Sequence, residues 1–380
     1  MISSTFFKKF RRVTYSGRYI PEIDGLRFIA IFSVVMLAHL GSYIQDSVLQ
    51  LPRPAGLIHT FLLEGVAGVS LFFIISGFIL SLPFAENKLL NGAPVQIKKY
   101  FFRRLTRLEP LYIITLICYF LVRVFILHYA GFSQLLPHFF ASLFYMHNII
   151  YNEASAINGV TWSLEVEIQF YILMPLLAYL YYIKNRIIRR GIFVILILSG
   201  TAFSYYHQYD MADFLNKGCY FFGGMLLADL YILNKKNFSS KIYTWAGVFF
   251  LLLSFFIPGY YVSVYFTLTK IICMLLYMFF ILHNNILKRC FSFAPVAILG
   301  GMCYSIYLLH DGVLGLMRHR FAKIIFSNYE WLNISLHALI ATAAMLVVSG
   351  IIFLLIEKPT MRRDWYKNLF FKKPLKLQDE

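Results

Sequence analysis

Long apolar runs, separated by short polar and mostly basic stretches, organise this chain. They fall at about 25–45, 58–83, 109–130, 165–183, 191–208, 216–233, 243–260, 262–283, 297–317 and 335–356. A helix of about 20 residues crosses a hydrocarbon core roughly 30 Å thick, and runs that are apolar on every face belong in lipid or a deep core. The pattern predicts an all-α polytopic membrane protein with about ten transmembrane helices. The stretch 132–150, FSQLLPHFFASLFYMHNII, is apolar but interrupted by Pro137 and by His138 and His147, and reads as a re-entrant or interfacial segment.

Composition supports the same class: 59% of the 380 residues are hydrophobic and 14% charged, against roughly 25% charged in soluble domains. A net charge of +17 would suit a nucleic-acid binder, but its distribution argues otherwise. Twenty-seven of the 35 Lys and Arg residues lie in the N-terminal stretch, the tail and every second inter-run segment, and only five in the alternate segments. That bias places both termini in the cytoplasm and assigns the basic residues to topology and anionic headgroups, with no nucleic-acid partner. Cys118, Cys219, Cys273, Cys290 and Cys303 form no CxxC pair and read as buried thiols, with neither a disulfide framework nor a metal site expected. Arg27 and His39 inside the first run argue against a cleaved signal peptide. Residues 1–380 read as one integral-membrane domain with a short basic tail from about 357 and no appended soluble domain.

Topology turns position into depth. Arg27 lies near the cytoplasmic end of the first run, and His39, twelve residues on, is about 18 Å further out at 1.5 Å per residue. On the same reasoning Ser76, Arg104 and Arg107 gather toward the cytoplasm, and Glu167, Tyr307 and His310 toward the opposite side. Arginine forks match phosphate oxygens, and a histidine, a carboxylate and phenolic hydroxyls are the material of proton transfer. Ionisable groups inside a membrane are costly and mark functional sites. Simpler roles exist for each: Arg27, Arg104 and Arg107 as snorkelling topology anchors, a lone histidine as an interhelical hydrogen-bonding partner, Trp162 and Tyr171 as interfacial aromatics, and Ser76-Gly77 as a helix-packing site.

Five segments in order, EIDGLRFIAI with His39 downstream, GVSLFFIISGF, RRLTRLEP, TWSLEVEIQFYILMP and CYSIYLLH, resemble the membrane acyltransferase-3 family over about residues 19–359. The resemblance implies transfer of an acyl group, most often acetyl, from cytoplasmic acyl-CoA to a hydroxyl of a surface or lipid-linked glycan such as O-antigen, exopolysaccharide or peptidoglycan. It implies acetyl-CoA as co-substrate with no tightly bound cofactor, and a multi-pass protein of the inner (cytoplasmic) membrane. By the same resemblance His39 is a general base or transient acyl acceptor, Arg27 orients donor or intermediate, and Arg104 and Arg107 bind CoA phosphates. Depth adds Ser76 to the donor group, Glu167 to the catalytic set, and Trp162, Tyr304, Tyr307 and His310 to the acceptor side. The resembled pattern sets the histidine eleven positions after the arginine, whereas here the offset is twelve; either a one-residue π-bulge absorbs the difference or the two side chains face different neighbours, and the bulge is favoured. The rival readings are a transporter or flippase of a lipid-linked saccharide and a non-enzymatic assembly scaffold.

Overall fold

A computed structural model describes residues 10, 12, 19–49, 64–207, 214–234, 237–258, 263–362 and 365. Every regular element among them is helical: α1 Pro21–Val48, α2 Glu64–Leu89, α3 Ile97–Ile126, α4 Phe132–Leu143, α5 His147–Tyr151, α6 Gly159–Tyr182, α7 Arg186–Tyr206, α8 Phe214–Leu233, α9 Lys241–Phe256, α10 Val264–His283, α11 Asn285–Phe291, α12 Ala294–Gly301, α13 Cys303–Arg320 and α14 Glu330–Thr360. Helices α1, α2, α3, α6, α7, α10 and α14 are long and apolar enough to cross a membrane, and α12 with α13 makes an eighth crossing if the bent pair is one span. Large apolar side chains such as Ile117, Leu121, Ile172, Leu176, Val347 and Leu355 face outward, as a lipid-embedded bundle requires.

Each of the ten apolar runs falls at least in part on a helix, and among the described residues those on α8 and α9 do not qualify as crossings by length and composition. Helix α9 has 16 residues, about 24 Å at 1.5 Å per residue. Helix α8 carries Lys217 and Asp229, and 13 of its 20 residues are buried within the protein. A helix surrounded by other helices need not be apolar throughout. The third helix begins at Ile97, well before the expected 109, so Arg104 and Arg107 sit on the helix rather than ahead of it. Segment 132–150 folds as α4, a turn and α5, too short to span, in keeping with the interfacial reading. The termini, residues 1–9 and 366–380, lie outside the described residues. All five cysteines are free; Cys219 and Cys273 are buried as expected, whereas Cys118 and Cys290 are exposed.

Close backbone approach fixes the centre of the bundle. Gly77 of α2 lies against Phe221 of α8, and Gly224 of α8 lies against Ile74 and Phe78 of α2, so a Cβ at either glycine would overlap the partner helix's main chain. Small residues allow such contact between membrane helices, where van der Waals packing rather than hydrophobic burial drives association. Several ionisable groups inside the bundle are paired: Lys270 with Glu64, and Arg189 and Arg190 with the two oxygens of Asp229 at 2.5 and 2.7 Å. At Gly300-Gly301 the chain turns by 67° between α12 and α13, a glycine pair being a usual cause of a sharp kink.

Candidate active site

Helix α1 starts at Pro21, whose fixed φ suits the first helical position, and Asp24 follows on its buried side. Three residues on, one turn along the same face, Arg27 Nη1 donates to Asp24 Oδ1 at 2.6 Å, and Arg12 Nη1 donates to the same oxygen at 3.0 Å. One carboxylate, 2% exposed, therefore fixes two guanidiniums. Beyond Arg27 the helix loosens: Ser33–His39 is π-helical. The π turn is the bulge expected from the twelve-residue offset between Arg27 and His39.

Arg27 opens into a cavity of about 100 Å³ lined by α1, α2, α3, α6 and α13. Arg27, Arg104 and Arg107 contribute its cationic wall, and Ser76, Glu167, Tyr171, Ser163, Tyr304 and Tyr307 its other polar groups. The Arg107 Nε is buried with no hydrogen-bond partner among the described residues. Arg104 lies over the rings of Tyr171 and Tyr100 at 5.6 and 5.9 Å from the ring centres, a geometry in which the ring faces hold the cation. Two arginines on one helix face, one of them with a buried donor unused, can grip a phosphate or carboxylate.

Across the cavity, Ser76 Oγ donates to Glu167 Oε1 at 2.5 Å, and the Tyr171 hydroxyl donates to the same oxygen. The pairing places Glu167 level with Ser76, which corrects the assignment of the two residues to opposite depths. Ser76 lies twelve residues into α2 and Glu167 eight residues into α6, so both sit well inside the helices, and the Gly77 packing fixes the Ser76 backbone. Tyr304 needs a similar correction. Its hydroxyl donates to the Leu108 carbonyl at 3.0 Å, next to Arg107 on α3, because the bend at Met302 swings the start of α13 against that helix. It belongs with the arginines rather than with the acceptor side.

The far end of the cavity is Tyr307. Its hydroxyl donates to the Val160 carbonyl at 3.0 Å and shares a hydrogen bond with Ser163 at 2.7 Å. One helical turn beyond lies His310, fully buried, whose Nδ1 hydrogen-bonds the Tyr307 carbonyl at 2.7 Å and whose Nε2 has no partner among the described residues. The His39 ring meets His310 edge-on, ring centres 4.6 Å apart, and Tyr307 is 5.6 Å from His310. His39 and His310 are thus brought together, one residue layer beyond the cavity lining. Trp162 stands outside the cavity, its ring 6.2 Å from Phe73.

Sequence reading passed over three polar groups that build this site. Asp24 was quoted only as motif, although its i,i+3 spacing to Arg27 signals the ion pair. Ser163 gains meaning only through Tyr307, 144 positions away. Glu357, at the end of α14, is buried and accepts from both the backbone N–H and the hydroxyl of Ser305 at the start of α13; a carboxylate closing the last apolar run was its one signal.

An acyltransferase-domain family matches this chain over residues 20–354. The peptidoglycan O-acetyltransferase OatA of Listeria monocytogenes is 26% identical over 401 residues, which cover 95% of this chain and 58% of that protein. The O-acetyltransferase OatA of Staphylococcus aureus strain NCTC 8325 / PS 47 is 26% identical over 340 residues, 81% of this chain and 52% of its own. This chain therefore spans a little over half the length of these curated relatives. No solved structure matches it.

Proposed function

Because the chain belongs to the acyltransferase-3 family, we propose that it is a membrane O-acyltransferase that moves an acyl group, acetyl by likeness to its relatives, from acyl-CoA to a hydroxyl of a glycan. The observation that carries this reading is the single cavity whose walls join Arg27, Arg104 and Arg107 to Glu167 and Tyr307. CoA phosphates fit the arginine wall, with the pantetheine arm extending toward Tyr307. The acceptor is a surface or lipid-linked glycan entering from the far side, peptidoglycan being the acceptor named for the Listeria relative. The orientation that goes with this has both termini in the cytoplasm, about ten passes through the inner membrane if α8 and α9 cross within the shelter of the other helices, and a cytoplasmic donor mouth.

In the chemistry proposed, the acceptor oxygen attacks the thioester carbonyl as its proton passes to an imidazole of the His39–His310 pair. A C–O bond forms, the C–S bond breaks, and the CoA thiolate leaves, taking a proton from the same imidazolium. Arg27 is the donor available to the oxyanion between these steps, and the Tyr307–Ser163 hydroxyl pair can join it by turning from the Val160 carbonyl. Glu167, fixed by Ser76 and Tyr171, faces Arg27 across the cavity and balances its charge once the donor has left. Membranes containing the protein, incubated with radiolabelled acetyl-CoA, are expected to carry base-labile label in glycan. His39→Ala should abolish it, and equal labelling by wild type and variant would refute the mechanism. If unmodified saccharide instead changes side without gaining an ester, the protein is a transporter.

A further inference from the structure

Away from the cavity, α4, α5 and the loop after them bring together three side chains that the proposed transfer does not use. His138 Nδ1 and His147 Nε2 are 2.9 Å apart, and a Glu153 carboxylate oxygen lies close enough that the three donor atoms are all within 4.8 Å of one another. The fold supports this arrangement in detail. His147 is fully buried, and its other ring nitrogen, Nδ1, hydrogen-bonds the Glu153 carbonyl at 3.1 Å. That contact sets the tautomer: Nδ1 carries the hydrogen, and the Nε2 lone pair points at His138. A backbone carbonyl holding the far nitrogen of a histidine is the usual outer support of a metal ligand.

Both rings also pack against one tyrosine. Tyr151 lies 4.2 Å from the His138 ring and 4.8 Å from the His147 ring, centre to centre. Asn152 then adopts a left-handed conformation, φ 51°, one that Asn takes more readily than most residues, and this reversal returns Glu153 to the histidines.

We infer that His138, His147 and Glu153 form a binding site for a divalent transition ion of the zinc class, with solvent as the fourth ligand. Two imidazoles and one carboxylate are a donor set that zinc accepts, at about 2.0–2.2 Å from each atom. Ligands at those distances and a tetrahedral angle stand about 3.3 Å apart, so the two nitrogens need to open by only a few tenths of an ångström. On binding, the hydrogen between the rings leaves His138 Nδ1, and that ring keeps its neutral form by carrying a hydrogen on Nε2. The ion would clamp the α4–α5 hairpin onto the start of α6, since the residue after His147 already anchors there: Asn148 N–H donates to Glu165 at 2.8 Å and its side chain to the Trp162 carbonyl at 3.0 Å. Ser163, on the cavity wall, is the next residue.

The test is equilibrium dialysis of the full chain in detergent against zinc chloride, with bound metal counted by elemental mass spectrometry. Wild type is expected to hold one zinc per chain, and His138→Gln and Glu153→Gln to bind about tenfold or more weakly, since losing a ligand costs at least as much as losing an outer partner. Because His147 is fully buried and its replacement can unfold the hairpin, the more accessible His138 and Glu153 carry the comparison, with His128→Gln as a control that should bind like wild type. Cobalt(II) chloride gives a second reading: a visible absorption band of four-coordinate cobalt is expected for wild type and its loss for Glu153→Gln. Zinc uptake by wild type no greater than by a His138→Gln/His147→Gln double variant would overturn the site and leave a hydrogen-bonded histidine pair only. Wild-type affinity and an unchanged cobalt band in Glu153→Gln would overturn the three-ligand assignment.

Discussion

Replacing Asp24 by Asn preserves shape but removes the one negative charge that holds Arg12 and Arg27. Both guanidiniums bond a single oxygen, at 3.0 and 2.6 Å, so the change leaves two cations facing an uncharged amide. A pair of unit charges about 4 Å apart is worth about 4 kcal/mol at an effective dielectric near 20, and removing one partner of a buried pair costs about 3–5 kcal/mol. Arg12 and Arg27 keep 12% and 15% exposure, so water recovers part of this and the expected loss is about 3 kcal/mol. The catalytic effect should be larger than that loss alone suggests. An active-site group displaced by about 1 Å costs on the order of 10²-fold in rate, and Asp24 is the carboxylate that Arg27 bonds directly among the described residues. The assay pairs thermal unfolding of the detergent-purified protein with initial rates of acetyl-CoA-dependent glycan labelling. Arg27→Lys, which keeps the charge but loses the fork, should leave unfolding nearly unchanged while lowering the rate. A D24N protein with wild-type unfolding and a rate within about twofold of wild type would refute the reasoning.

Three further outcomes follow from the same geometry. Deleting Leu37 from the π-helical Ser33–His39 stretch should restore an ordinary helical turn and retain labelling, because a π-bulge is a single extra residue; deleting Ile29 from the regular turns ahead of it should abolish labelling by rotating Arg27 relative to His39, and equal effects of the two deletions would show that the π turn absorbs nothing. Gly224→Val forces a side chain into the α2 backbone and should cost more than the roughly 1–3 kcal/mol typical of overpacking, whereas Gly191→Ala, where nothing lies within 4 Å, should stabilise α7 by up to about 1 kcal/mol; melting curves decide both. Arg107→Ala should raise the KM for acetyl-CoA by about tenfold or more with a smaller change in kcat, Arg107→Lys should restore only part of it, and an unchanged KM in Arg107→Ala would remove that residue from donor binding.

Hydrophobic pattern made the helices legible, since ten apolar runs fall on helical regions, and the Arg27–His39 offset, one longer than in the resembled family, made the π turn legible. What it could not supply was how the helices face one another. Ser76 and Glu167 were separated by counting depth along individual spans, but the kinked, partly π-helical bundle and the Gly77–Gly224 contact bring them level. Tyr304 was misassigned for a related reason: a 67° bend after Gly300-Gly301 cannot be measured from a run of apolar letters. Helix α8 illustrates the limit of hydropathy itself. Lys217 and Asp229 lie on a helix enclosed by protein, where the average apolar character of the segment says little about its surroundings. His138 and His147 read as isolated polar interruptions because the left-handed turn at Asn152 that gathers them with Glu153 leaves only a weak trace in sequence.

The bend between α12 and α13 starts a new helix beside the cavity, and the free N–H groups at such a start form an anion site, with about half a positive charge. Here Glu357 occupies it, accepting from the Ser305 amide. The bundle thereby closes its own ready-made socket for negative charge against any visitor. On the function proposed here, a charged donor in the cavity is held by the guanidiniums of α1 and α3, and a change at Glu357 would give the cavity a second, competing berth.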